Sequence, residues 1–145
     1  MLKRLMGTAN DVALTILRVF LGLVFFAHGA QLVLGWFGGY GFHQTMGGFT
    51  HMGFPAPVAF LVICAQFFGA LGLIVGLLTR IAALGIAAVM TGAIFMVHLQ
   101  NGFFMNWMGT QKGEGFEFHL LALAMAAALL LRGAGAFSLD RALSK

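Results

Sequence analysis

Apolar residues fall along this chain in four long runs, separated by short polar or glycine-rich connections. A helix needs about 20 predominantly apolar residues to cross the hydrocarbon core of a bilayer. The first run, Val12 to Leu34, meets that length, and so does the second, Pro57 to Leu78, which opens on the Pro55 and Pro57 pair that marks a turn and a helix start. The third runs from Ile81 to Leu99. The fourth, Phe116 to Leu131, is short, and reaches spanning length when Gly113 to Gly115 join it. This pattern predicts an all-α integral membrane protein: a four-transmembrane-helix bundle forming a single membrane domain over 1–145, with spans at about 12–34, 57–78, 81–99 and 113–131. Only Thr79 and Arg80 stand between the second and third spans, which predicts a tight hairpin. The stretches 35–56 and 100–115 are long and glycine-rich, and read as loops on the opposite side of the membrane.

An even number of spans puts both termini on one side, and basic residues set which. Lys3, Arg4, Arg80, Arg132, Arg141 and Lys145 fall on the terminal side against Lys112 alone on the other, so both termini are expected in the cytoplasm and the chain in the plasma (inner) membrane. The first span is too long for the apolar core of a cleaved signal, about 7 to 15 residues, and reads as a signal anchor.

Composition agrees with a lipid environment. Hydrophobic residues make up 61% of the 145 and charged residues 8%, against about 25% charged in soluble domains. The mean hydropathy is +0.97. A net charge of +4 and a pI near 10.0 do not indicate nucleic acid, because the basic residues are scattered singly and form no stripe alternating with aromatics. The single cysteine, Cys64, lies inside an apolar run, which excludes an intrachain disulfide, a CxxC redox pair and a cysteine zinc site. Small residues at Ala65, Gly69, Gly72 and Gly76, and at Gly85, Ala88 and Gly92, are spaced for close helix contact within the bundle, with a homo-oligomer as the other use of such a surface. Trp36, Tyr40 and Trp107 read as interfacial anchors.

The polar residues carry the functional argument. On this topology all five histidines, with Glu114 and Glu117, land at the outer end. His28 lies six residues before the end of the first span, roughly 9 Å deep, with Gln31 on the same face. His98 ends the third span, and Gln66 sits roughly 14 Å into the second. Glu117 and His119 are two residues apart, on nearly opposite faces of a helix, so one alone points inward. Glu117 is the expected one, because a carboxylate facing lipid is the costlier arrangement. Polar groups at such depth mark a site by default. Arg18 stands apart near the cytoplasmic end, where it snorkels or finds a partner on another helix or a phospholipid head group. Asp140 and Arg141 read as part of a solvated tail. Two ligand chemistries suit the outer cluster. One is a quinone head group held by His28, Gln31, Gln66, His98 and Glu117 beside aromatic walls, with Arg18 as a more remote contributor. The other is a metal ion or haem held by His28, His98, Glu117 and His119, although no HxxxH or ExxH pair occupies one helix face.

The segments LRVFLGLVFFAHGAQ at Leu17 to Gln31, GWFGG at Gly35 to Gly39, GLLTRIAA at Gly76 to Ala83, HLQNGF at His98 to Phe103, GEGFEFHLLALA at Gly113 to Ala124 and GAGAFSLD at Gly133 to Asp140 together resemble the DoxX family over nearly the whole chain. The resemblance implies a four-helix bacterial or archaeal membrane protein associated with thiosulfate, quinone and thiol-stress redox complexes. Arg18, His28, His98 and Glu117 match the family pattern. Leu32 and Gln66 depart from it, standing where similar members often carry a lysine and a carboxylate, so an intramembrane ion pair of that kind is absent. The resulting expectation is a redox-associated membrane subunit, more accessory than independent enzyme, that binds a quinone or similar cofactor at the extracytoplasmic end and works with a partner oxidoreductase. A metal- or haem-handling membrane protein and a structural subunit of a respiratory-type complex are the alternatives.

Overall fold

The computed structural model describes residues 6–144; Lys3, Arg4 and Lys145, three of the basic residues used for orientation, lie outside the described residues. Among the described residues the chain is helical, with no strand. Helix α1 spans Val12–Leu34, α2 Gly41–His51, α3 Ala56–Val75, α4 Thr79–Ala93, α5 Glu117–Arg132 and α6 Leu139–Ser144. Helix α4 continues through a π-helical turn, Ile94–His98, and a 3-10 turn, Leu99–Asn101. Three stretches are long and apolar enough to cross a membrane: α1, α3 and the continuous Thr79–Asn101. At 16 residues, α5 reaches about 24 Å, less than the hydrocarbon core of about 30 Å.

Local signals fix the ends. Asp11 caps α1 by accepting from the Ala13 N–H at 2.8 Å, and Gly35, in the left-handed region, ends the helix by donating its N–H to the Ala30 carbonyl. Helix α3 stops at Val75 because Gly76 adopts φ +72°, where a glycine is at home. The hairpin turn therefore occupies Gly76 to Leu78. Thr79 and Arg80, expected to form it, are instead the first residues of α4.

Helix α1 packs along α3, α3 against α4 and α4 against α5, with α5 closing back on α1. Leu21, Phe25, Leu73, Ile86 and Leu129 fill the interior. The α1–α3 crossing is tight at Gly29, where a Cβ would stand 2.6 Å from the Gln66 carbonyl oxygen. The small-residue spacing serves the α3–α4 seam, with Gly69 3.8 Å from Ala82 and Gly85 3.1 Å from the Ala65 Cβ by the same measure.

The turn end of the bundle is more ordered than the sequence led us to expect. Arg18 is only 1% exposed. It neither snorkels nor meets lipid: its Nε donates to the Ala134 carbonyl at 2.9 Å, and its terminal nitrogens to Leu73 at 2.5 Å, Ile74 at 2.7 Å and Phe137 at 3.2 Å. These are helix-end and loop carbonyls that lack helical partners, which makes them good acceptors for a buried guanidinium. Asp140 likewise does not lie in a solvated tail. It is 1% exposed, and its two carboxylate oxygens accept from the Leu78 and Thr79 N–H groups at 2.7 and 2.9 Å, capping α4 from a distant part of the chain. Arg141 donates to the Asn10 side chain, tying α6 to the segment before α1. Asp140→Ala is expected to cost about 2–3 kcal/mol, for a lost cap that leaves one buried and one partly buried amide unpaired, and Asp140→Asn roughly half of that. Unfolding by denaturing detergent, followed by helical circular dichroism, measures both.

At the other end, the stretch 35–56 is not all loop. Despite its glycines, Gly41–His51 folds as α2, because Phe42, Thr45, Met46 and Phe49 recur at helical spacing and Thr45 is buried. Phe42 stacks edge-on against Phe60 of α3 at 6.4 Å, and Phe49 packs on Phe54 at 5.5 Å. The 100–115 connection is pinned by backbone bonds from Gly115, Phe116 and Glu117 to Phe104, Gly102 and Phe103.

Candidate ligand-binding site

A cavity of about 1150 Å³ opens at the loop end of the bundle and extends down the α3–α4 seam. Its polar wall draws on four helices: His28 from α1, Gln66 from α3, His98 from the π-helical turn ending α4, and His119 from α5. Phe25, Phe118, Met105 and Cys64 add apolar and soft surface. Phe25 packs beside His28 with ring centroids 6.3 Å apart, and Phe118 meets His119 edge-on at 5.7 Å.

The centre of the polar wall is a pair of imidazoles. His98 and His119 lie 4.1 Å apart between ring centroids, tilted by 43°. Nδ1 of His98 is 2.8 Å from the Glu114 carbonyl, which also accepts from the Asn101 amide at 3.0 Å. A carbonyl can only accept, so Nδ1 carries a proton, and in the neutral form of the ring the Nε2 lone pair is the one left to accept. The π-helical turn admits an extra residue into the α4 backbone and so sets where the His98 ring projects, a device common at functional sites. His119 is 6% exposed, and its Nδ1 has no hydrogen-bond partner within the protein. A buried polar atom left unpaired costs about 1–3 kcal/mol, a cost that a hydrogen-bonding group reaching this nitrogen would relieve.

The structure therefore gathers His28, Gln66 and His98 around one cavity, together with His119, and leaves three other candidates outside it. Gln31 donates to the Phe37 carbonyl at 3.2 Å and steadies the chain leaving α1. Arg18 belongs to the turn end. Glu117, expected to face inward, instead accepts from the Met105 N–H at 2.8 Å and the Trp107 indole at 3.4 Å, and so braces the 100–115 connection. Of the Glu117 and His119 pair the buried member, lining the cavity, is His119 and not Glu117. Loop N–H groups satisfy the carboxylate without burying it in the bundle, an arrangement that depends on the fold of a loop twelve residues away. His43 and His51 are exposed on α2 and do not line the cavity, although Phe49 and Met52 beside His51 do. The role of Phe25 was legible as the residue three before His28 on the same face; that of Met105, on an irregular loop, had no local signal.

Among the described residues no three His, Cys, Asp or Glu side chains come together in a way that could hold a metal ion. Two imidazoles are short of the three or four protein ligands of zinc sites, and Glu117 is engaged elsewhere. The donor set fits a metal poorly. It fits a planar, hydrogen-bonding head group well: one unpaired imidazole, one proton-accepting imidazole, a glutamine amide and aromatic walls.

A helical bundle with membrane-crossing segments defines a multi-pass membrane protein, and this one carries an apolar cavity with imidazoles set into its wall. The chain belongs to the DoxX family, whose model matches residues 13–99, covering α1 to the π-helical turn. It is 29% identical over 135 residues to CatD of Bacillus subtilis (strain 168), whose name assigns it provisionally to the oxidoreductases, covering 93% of this chain and 90% of that one. It is 29% identical over 140 residues to the inner membrane protein YqjF of Escherichia coli (strain K12), covering 97% of this chain and 98% of that one. No solved structure matches.

Proposed function

We propose that this protein is a redox-associated membrane subunit which holds the head group of a quinone or closely similar molecule between His28, Gln66, His98 and His119, and works with a partner oxidoreductase. The observation that carries the reading is the unpartnered, buried Nδ1 of His119, a residue that lines a large apolar cavity. The oxidoreductase name of the Bacillus relative supports the redox part. In this reading α5 is the fourth span, shortened at a locally thinned bilayer, both termini are cytoplasmic, and the imidazole pair lies at the extracytoplasmic end.

A quinone, when bound, supplies two-electron, two-proton carrier chemistry. The chain's own part is to bind and to move protons. Nδ1 of His119 makes the contact that orients the head group. Nε2 of His98 takes or returns a proton, while the Glu114 carbonyl holds its ring in one tautomer. The Gln66 amide offers a neutral donor to a carbonyl oxygen. The lone cysteine cannot form an intrachain dithiol, so electrons are exchanged with a partner protein.

His119→Phe tests this. Phenylalanine keeps the ring shape and removes an unpaired polar atom, so the ligand-free bundle should be as stable as wild type or about 1 kcal/mol more so. Quinone extracted by solvent from the purified protein should fall at least tenfold. Equal quinone content in wild type and variant, or stoichiometric metal in place of quinone, overturns the reading.

A further inference from the structure

Resting on that reading, we infer that the ligand is a long-tailed lipid molecule, whose apolar chain lies in the α3–α4 seam and reaches the bilayer through its open side. The cavity is larger than the imidazole cluster needs: about 1150 Å³, above the roughly 300–1,000 Å³ of sites for drug-sized molecules. Its α4 wall runs from His98 to Ile81, 17 residues or about 25 Å of helix, close to the thickness of the hydrocarbon core.

The chemistry changes along that length. Histidines and Gln66 stand in the loop-end part, whereas from Gly92 and Ala88 down to Gly85, Leu84 and Ile81 the α4 wall is wholly apolar. A compact polar ligand would leave that stretch without a partner; an isoprenoid or acyl chain fills it. The seam is also open sideways. Leu61 of α3 and Met96 of α4, which both line it, are 65% and 57% exposed on helices that carry membrane-spanning hydrophobicity. At Ala65 and Gly85 α3 and α4 touch, so the wide part of the seam lies beside the imidazoles, and toward the turn end the tail runs over the lipid-facing side of that contact, along Leu84 and Ile81, 59% and 50% exposed, and not between the helices. Head and tail thus occupy one continuous surface, polar at one end and facing lipid along its side.

Gly92 offers a clean test, because a Cβ built there meets nothing within 4 Å. Gly92→Phe directs a ring from an unobstructed Cβ position on the seam, about 9 Å from His98 along the helix. The full-length protein in lipid nanodiscs is titrated with two quinones sharing one head group, one tail-less and one polyisoprenylated. Each affinity is compared between wild type and variant, which cancels membrane partitioning. The expected result is at least a tenfold loss for the long-tailed quinone and less than a twofold change for the tail-less one. Equal losses for both, or no loss for either, overturn the tail assignment and leave the head-group reading standing. Failure of both quinones to bind the wild type overturns both. A dimer that dissociates in Gly92→Phe with long-tail affinity intact assigns the seam to a second copy of the chain, and overturns the inference.

Discussion

Arg18→Met is expected to destabilise the bundle by at least about 3 kcal/mol, the largest effect of any single substitution away from the ligand cavity. Methionine approximates the length of arginine but donates nothing. Four carbonyls, those of Leu73, Ile74, Ala134 and Phe137, lose their donor together. Each buried acceptor left unpaired costs about 1–3 kcal/mol, and the effects overlap because the guanidinium is shared. Lysine is a poor substitute: a point charge with three donors cannot satisfy acceptors spread around a planar fork, so Arg18→Lys should recover less than half of the loss. Denaturing-detergent titration of wild type and both variants measures the ranking. A stability loss below about 1 kcal/mol for Arg18→Met would show that the carbonyl network is incidental.

Gly29→Leu ranks second, and should damage both fold and site. A Cβ at this position meets the backbone of α3 at Gln66 and Phe67, at 2.6 Å in each case, and backbone cannot turn aside as a side-chain tip can. The helices must separate, at a cost of about 3 kcal/mol or more for overpacking at a rigid crossing. Because His28 precedes Gly29 and Gln66 is its contact, separation also moves two of the five polar residues that line the cavity. Quinone retention should therefore fall even at temperatures where the variant remains folded. Gly29→Ala should show the same two losses in smaller measure; ligand retention at wild-type level in both variants would argue that the α1–α3 crossing does not set the site.

How much of this could be read from the sequence depended on how local each signal was. Apolar runs alone located α1, α3 and α4, since hydropathy over about 20 residues is a property of one segment. The clustering of His28, Gln66 and His98 followed from counting residues along those segments. What escaped was set by distant partners. Asp140 looks like a tail residue until the folded chain brings it over the N-terminus of α4, 61 residues away from Thr79. Glu117 looks like the inward group until loop N–H groups are seen to satisfy it, which leaves the inward direction to His119. The α2 helix was obscured by its glycines, which lower helix propensity by about 1 kcal/mol each while the packing of its aromatic face on α3 and on Phe54 makes up the difference. Local chemistry announced which residues were unusual; three-dimensional closure decided what each one touches.

The binding of Arg18 also bears on how the protein is made. Two of its four acceptors, Ala134 and Phe137, follow it by 116 and 119 residues. At about 5–20 residues per second, synthesis leaves this arginine waiting roughly 6 to 24 seconds before those carbonyls exist. A guanidinium is costly inside hydrocarbon, so through that interval it is best kept at the membrane surface, among water and phosphate. Insertion of the first helix and its final seating are then separate events. Sealing of the turn end falls to the last-made part of the chain, and a ribosome stalled before Gly133 would leave behind an inserted but unlocked protein.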